Sequence, residues 1–422
     1  MTNITRRQVL AGGAVAIGGA MLPMPFISRL AAQETITIGV ITPLSGAQQL
    51  VGNFVKIGAE IARDWVNANG GIGGKQVQLE FRDDKANPND ATVVTRELLG
   101  SGVNLTLGAI ASPVALAMGP LMEQAGGVHL TSGAGTEKLN HQNYNDHVFR
   151  IGDGPYSRNH ALARHMMELN PEITTWGGLV PDHEYGRTTW AIFVDAILTL
   201  SEEITGKQAK VEQPILVPYG AGDYKNFIGQ AMRLPVEGMY TSVYGGDAVT
   251  LYQQAKPFGL FDKIKILGDS ANEFLAAKAL GNQVPVHWTG THWYFGTNKG
   301  NPLSDNLYEE YVKRAGDPYP MGWAAEAQAG ILAYKAAIEK NNGSTDAKDV
   351  IAALKGLTFD SATGPRTIRA EDNQAIKNVE LIKIEPSPSE ASGFAVTEYK
   401  QIPGDKAIEP PTPGKPFALK GI

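Results

Sequence analysis

Apolar and polar positions along this chain switch repeatedly between two periods. Ile36-Thr37-Ile38-Gly39-Val40-Ile41 is a near-continuous β-branched run, which predicts a buried strand ending in Thr42-Pro43-Leu44-Ser45-Gly46. Beyond it, Ile57, Ile61, Ala62, Trp65 and Val66 recur at spacings of three and four, one apolar stripe along a helix. Asn69-Gly70-Gly71 stops that helix, because both residue types tolerate left-handed backbone. The pattern continues with a strand over 77–82, a helix over 89–99, a strand over 104–110, a short helix after Pro113 and a strand over 127–131. It then restarts. Strands are predicted over 174–180, 215–217, 239–244 and 263–267, with a helix over 186–200 after the first and further helices between the others. Continuously apolar strands alternating with helices mark a parallel sheet covered on both faces, so the chain predicts two similar α/β units. Three more helices follow, over 302–314, 322–340 and 346–355. A few strands from Phe359 and a proline-rich tail complete the pattern.

The first 32 residues do not fit this alternation. Arg6-Arg7 precede an apolar, small-residue run from Val9 to Leu22, and Leu30-Ala31-Ala32 closes the segment. The run is too short for a membrane anchor, so 1–32 reads as a cleaved twin-arginine export signal and the protein as periplasmic. Without that segment's three arginines, 34 basic residues face 43 acidic ones and the net charge moves from −6 to −9. So acidic a chain has no electrostatic case for binding nucleic acid. It has no cysteine, which excludes disulfides and a lipid-modified N-terminal Cys. Its remaining 390 residues exceed one core and suit two domains.

Signatures of catalysis fail on inspection. Gly70-Gly71-Ile72-Gly73-Gly74-Lys75-Gln76 lacks the first glycine and the hydroxyl of a phosphate loop, and it follows a helix rather than a strand. His183-Glu184 lacks the second His of a zinc-protease helix, and the eight histidines do not cluster at ligand spacing. No cofactor is expected. What remains is a set of small polar residues where strands end: Ser45-Gly46, Ala111-Ser112-Pro113, Thr131 to Thr136, Asp182 to Tyr185, Gly245-Gly246-Asp247 and Asp269-Ser270. In open α/β sheets ligands sit beyond the carboxyl ends of strands, and hydroxyls with bare amides at a helix start suit a carboxylate.

These residues resemble the periplasmic leucine/isoleucine/valine-binding proteins, the solute receptors of ABC importers. The resemblance rests on Pro43-Leu44-Ser45-Gly46, Gly58-Ala59-Glu60, Asn69 to Gly74 and Asp83-Asp84. It extends through 108–112, 131–136, His183-Glu184-Tyr185-Gly186, Gly245-Gly246 and Gly268. It implies a type I periplasmic-binding-protein fold: two Rossmann-like lobes, 34–153 plus 289–376 and 154–288 plus 377–422, joined by three crossover strands. It implies closure on an amino acid or related small carboxylate, delivery to a membrane permease and its ATPase, and a monomer. It places the ligand carboxylate on Ser112 and the segment including Gly133, Gly135 and Thr136, with Tyr185 from the second lobe. Three positions depart from the family. Ser270, beside Asp269, stands where the family has the carboxylate for the ligand's amino group. Asp247 replaces a tyrosine, and Val51 an aromatic residue. Either Asp247 or Asp269 pairs an ammonium from a shifted position, or the ligand has none. Trp288, His292, Trp293 and Tyr294 are either an aromatic wall of the site or core and hinge packing. A periplasmic ligand-sensing co-receptor built on the same clamp is the alternative function.

Overall fold

The computed structural model describes residues 34–420 except Ala47 and Tyr219. The expected export signal lies outside the described residues. Among those described, no helix is long and apolar enough to cross a membrane.

The chain begins β1 (Thr35–Thr42), α1 (Gln49–Ala68), β2 (Gln76–Asp83), α2 (Pro88–Gly100), β3 (Leu105–Gly108), α3 (Ser112–Ala125), β4 (Val128–Thr131) and β5 (Val148–Arg150). These five strands form one parallel sheet in the order β2-β1-β3-β4-β5. β1 is buried on both faces, as its unbroken apolar run requires. Next come α4 (Pro155–Leu169), β6 (Thr175–Pro181), α5 (Glu184–Thr205), β7 (Lys210–Val211), β8 (Ile215–Val217), α6 (Lys225–Arg233), β9 (Gly238–Thr241) and α7 (Gly245–Ala255). α8 (Leu260–Lys263), β10 (Ile266–Asp269), α9 (Leu275–Leu280) and β11 (His287–Thr291) follow. The chain then supplies α10 (Pro302–Ala315), α11 (Trp323–Lys340) and α12 (Ala347–Leu354). A small antiparallel sheet comes next, of β12 (Thr358–Ser361), β13 (Gly364–Ile368) and β14 (Ala375–Ile376). α11 and α12 share a core with the first sheet, including Leu107, Leu130, Ile331 and Tyr334. The last strands, β15 (Val379–Pro386) and β16 (Phe394–Ile402), run antiparallel beside β11. They complete a second sheet, β16-β15-β11-β10-β9-β6-β7 with β8 on β6.

Two differences from the sequence reading have physical causes. The strand expected over 263–267 lies later, as β10. Lys263 ends α8 instead, and its ammonium caps the end of α6 by donating to the carbonyls of Ala231 (3.2 Å), Met232 (3.0 Å) and Leu234. α4 has no clean apolar stripe in sequence, since Arg158, Asn159, His160, Arg164 and His165 interrupt it; five of its polar or small positions are nonetheless taken up by packing against α5, β11 and β15.

Candidate functional site

The carboxyl ends of both sheets carry short polar loops. On the first sheet, β3 is followed by Ala109 in left-handed backbone (φ 53°), which turns the chain so that Ser112 begins α3. The Ser112 hydroxyl is half-buried and bonds to none of the described residues. The loop after β4 is held from below: Thr131 Oγ1 donates to the Ala109 carbonyl (2.9 Å) and accepts from the Ala134 amide (3.3 Å). Thr136 caps the following turn by accepting from the Lys138 amide (3.3 Å). The amides of Gly133, Gly135 and Thr136 donate to no described residue. Gly133 leaves little room for a side chain, since a Cβ would lie 3.1 Å from the Trp323 indole. That indole N–H is itself buried without an acceptor among the described residues.

Tyr185, near the start of α5, faces this loop. A Cβ on Gly135 would lie 3.9 Å from its ring, and the exposed ion pair Lys138–Glu184 (2.5 Å) joins the same two segments. Behind Tyr185 runs a hydroxyl chain. Tyr185 lies beside Ser270, Ser270 bonds to Tyr240 (2.8 Å), and Tyr240 donates to Asn159 (2.6 Å). Burial pushes the Tyr185 and Tyr240 phenols up, so both stay protonated. Ser112, Gly133, Gly135, Thr136, Tyr185 and Ser270 thus line adjacent loops at the facing ends of the two sheets.

Asp269 and Asp247 have other employment. Asp269 is fully buried; it accepts from the Tyr252 hydroxyl (2.7 Å), Asn272 Nδ2 (2.8 Å) and the Ala271 amide (2.9 Å). Asp247 accepts from the Gly220 amide (2.7 Å), pinning the loop after β8. The aromatic run after β11 is core and hinge packing. Trp293 is fully buried and donates to Ser304 Oγ (2.9 Å), and Trp288 packs edge-on against His165.

Beneath the cleft lies a charged cluster that the sequence reading missed. Asp153, His292 and Lys377 sit on the three passes of the chain between the sheets. His292 Nδ1 lies 2.8 Å and Lys377 Nζ 3.3 Å from Asp153, and Lys377 also donates to the His292 carbonyl (2.8 Å). Arg158 Nε adds a contact at 3.1 Å. Burial alone would raise the Asp153 carboxyl, but Lys377, Arg158 and His292 together hold it well below the usual carboxylate range. Glu326 beside it is covered by Arg366. Glu273, in left-handed backbone (φ 44°), accepts from the amides of His292 (3.0 Å) and Gly322 (2.8 Å). Asp153, His292 and Glu326 gather three possible metal-ligand atoms within 4.8 Å, yet Lys377, Arg158 and Arg366 already supply the positive charge there. Glu137, His141 and Glu409 form a similar group, with Arg150 3.3 Å from Glu137. A groove of about 660 Å³ along Ile264, Ile266, Val286 and His287 lies at the amino ends of β10 and β11, the wrong end of the sheet for a ligand of this architecture.

A family model described as periplasmic binding protein matches residues 35–391. The Leu/Ile/Val-binding protein homolog 3 of Brucella melitensis is 23% identical over 356 residues, 84% of this chain and 92% of that protein. The leucine-, isoleucine-, valine-, threonine- and alanine-binding protein of Brucella ovis, in a closed conformation, superposes with a TM-score of 0.79 at 18% identity, covering 92% of this chain and all of that one. A solute-binding protein of an ABC transporter from Rhodopseudomonas palustris BisB5, solved with 3,4-dihydroxybenzoic acid, superposes with a TM-score of 0.73 at 20% identity over 88% of this chain and 98% of that one. The fold is that of the type I periplasmic binding proteins, two Rossmann-like lobes.

Proposed function

Because the chain belongs to the Leu/Ile/Val-type family of periplasmic binding proteins, we propose that it is the extracytoplasmic receptor of an ABC importer. It binds a small carboxylate in the cleft between its lobes and hands it to a membrane permease. In this reading it reaches the periplasm through the twin-arginine signal over 1–32 and acts as a monomer. The lobes are 34–153 plus 289–376 and 154–288 plus 377–422.

The observation that carries the reading is the set of uncommitted donors beyond β3 and β4. The Ser112 hydroxyl and the amides of Gly133, Gly135 and Thr136 have no protein acceptor among the described residues, and Gly135 of this set abuts the Tyr185 ring. Buried or half-buried donors left unpaired cost free energy, and a carboxylate supplies acceptors for several at once. Closure then follows from contacts that only the closed state makes to both walls. Asp247 and Asp269 shape their loops and leave the ligand to their neighbours.

The test is to denature protein purified from its exporting host and identify the released small molecules. Thermal shifts of the ligand-free protein against amino acids and organic acids then follow. A specific acid raises the melting temperature with concentration, and Ser112→Ala weakens that shift. If no acid shifts the transition, the reading is wrong; an unchanged shift in Ser112→Ala removes Ser112 from the site.

A further inference from the structure

The second wall of the cleft presents a cation, and the carboxylates near it among the described residues already hold other partners. Arg158 sits in the first turn of α4, where its stem passes Gly290 closely enough that a Cβ there would collide with it. Its Nε is committed to Asp153 at 3.1 Å, which fixes the plane of the guanidinium. The two terminal nitrogens donate to none of the described residues, although the side chain is 14% exposed. A guanidinium has five N–H donors and cannot be deprotonated, so four charged donors remain open. The guanidinium lies near Tyr185, whose ring abuts Gly135 on the opposite wall, and near the carboxylates of Glu273 and Glu326 as well as Asp153.

Each nearby carboxylate is already occupied. Asp153 has Lys377 and His292, Glu326 has Arg366, and Glu273 takes one backbone amide on each oxygen. Asp269 accepts from Tyr252, Asn272 and Ala271, and Asp247 accepts from the Gly220 amide on the loop after β8. Glu184 is exposed and paired with Lys138. An α-ammonium buried by closure would have to displace these donors to reach a carboxylate oxygen, and a buried charge left without a close partner is strongly unfavourable. An acidic group would find an oriented fork of the kind that binds carboxylates in two-point fashion.

We propose that Arg158 is a specificity-determining residue of the cleft and that the ligand is a small organic dianion rather than an α-amino acid. One carboxylate rests on the Ser112 and Gly133–Thr136 donors, and the second acidic group rests on the Arg158 terminal nitrogens. This rests on the receptor reading above.

The experiment compares succinate, glutarate, adipate and the benzene dicarboxylates with leucine, glutamine and benzoate, by calorimetry on the ligand-free protein. At least one dicarboxylate should bind, and its monomethyl ester should bind roughly tenfold to a hundredfold more weakly, the loss expected for one charged hydrogen-bonding group. Arg158→Gln should lose a similar factor for the diacid and almost nothing for the ester, with Arg158→Lys between. The ester comparison uses the unaltered protein, so it stands even if a variant fails to fold. Equal affinity for diacid and ester, or tight binding of leucine or glutamine unaffected by Arg158→Gln, overturns the inference while leaving the receptor reading intact. Failure of every acid to bind overturns both.

Discussion

Asp84 is fully buried at the end of β2, with one oxygen bonded to the Ala86 amide (2.8 Å) and the other without a partner. Burial first, and then the charges of Asp83 and Asp90, raise its carboxyl to about 6. A carboxyl raised on folding favours the native state while protonated. That contribution is present at acid pH and is lost as pH rises from the ordinary carboxylate range through about 6. Asp84→Asn should therefore become increasingly more stable than the parent between about pH 4 and 6, with a constant gap above that, measured as melting temperature against pH. Its neighbour does the opposite job. Asp83 accepts from the Leu44 amide (2.8 Å) and Ser45 Oγ (2.5 Å), so burial's upward push is outweighed and it titrates low. Two adjacent acids with opposite roles are one identical pair of letters in the sequence. The same is true of Asp269 and Ser270: the sequence offers both as ligand contacts, and only the Tyr252 and Asn272 contacts show which is taken. Buried histidines set a second pH dependence. Burial lowers His165 to about 4, so its contribution to stability is lost as pH falls from about 6.5 toward 4. His165→Gln should flatten that acid limb of the stability curve.

At the scale of elements, the most legible pieces are those whose period is unbroken. β1 and α1 lie where the apolar run and the three-four stripe put them. α1 packs on α11 so closely that a Cβ on Gly58 would come within 2.1 Å of the Ala324 carbonyl. No side-chain adjustment relieves a clash with backbone, so Gly58→Ala should destabilise the protein by about 1–3 kcal/mol or prevent its folding, seen as a lower denaturant midpoint. The sequence shows a glycine among helix formers there and cannot say what approaches it. α4 is the least legible element that matters. Its polar residues break any apolar stripe, yet Asn159 and His165 are buried by contacts with β9 and β11. That is why Arg158 escaped notice.

At the scale of the whole molecule, Lys377 binds together residues some 85 and 224 positions away, His292 and Asp153, at the three passes between the lobes. Removing one member of a buried ionic group strands the others. Lys377→Met should lower stability by about 3–5 kcal/mol, measured by denaturant unfolding. The Lys138–Glu184 pair bridges the cleft at the surface, where an ion pair adds little to stability. Glu184→Gln should leave the melting temperature nearly unchanged and instead speed ligand release, an effect that shrinks at high salt. Stopped-flow dissociation at two ionic strengths checks this.

The hydrophobic periods by themselves determined that this chain makes two α/β units, because continuous apolar strands and striped helices can hide their surfaces only as covered parallel sheets. Strand ends marked by Ser, Gly and Thr likewise marked the polar loops at the carboxyl ends of the sheets. Tertiary structure alone decided which polar side chains those loops leave uncommitted. Whether a carboxylate or guanidinium is available to a ligand depends on partners brought from distant positions: Tyr252 for Asp269, Gly220 for Asp247, and for Arg158 a single partner that leaves its fork open. Local sequence fixes chemistry at a position; only the fold fixes what that chemistry is already paired with.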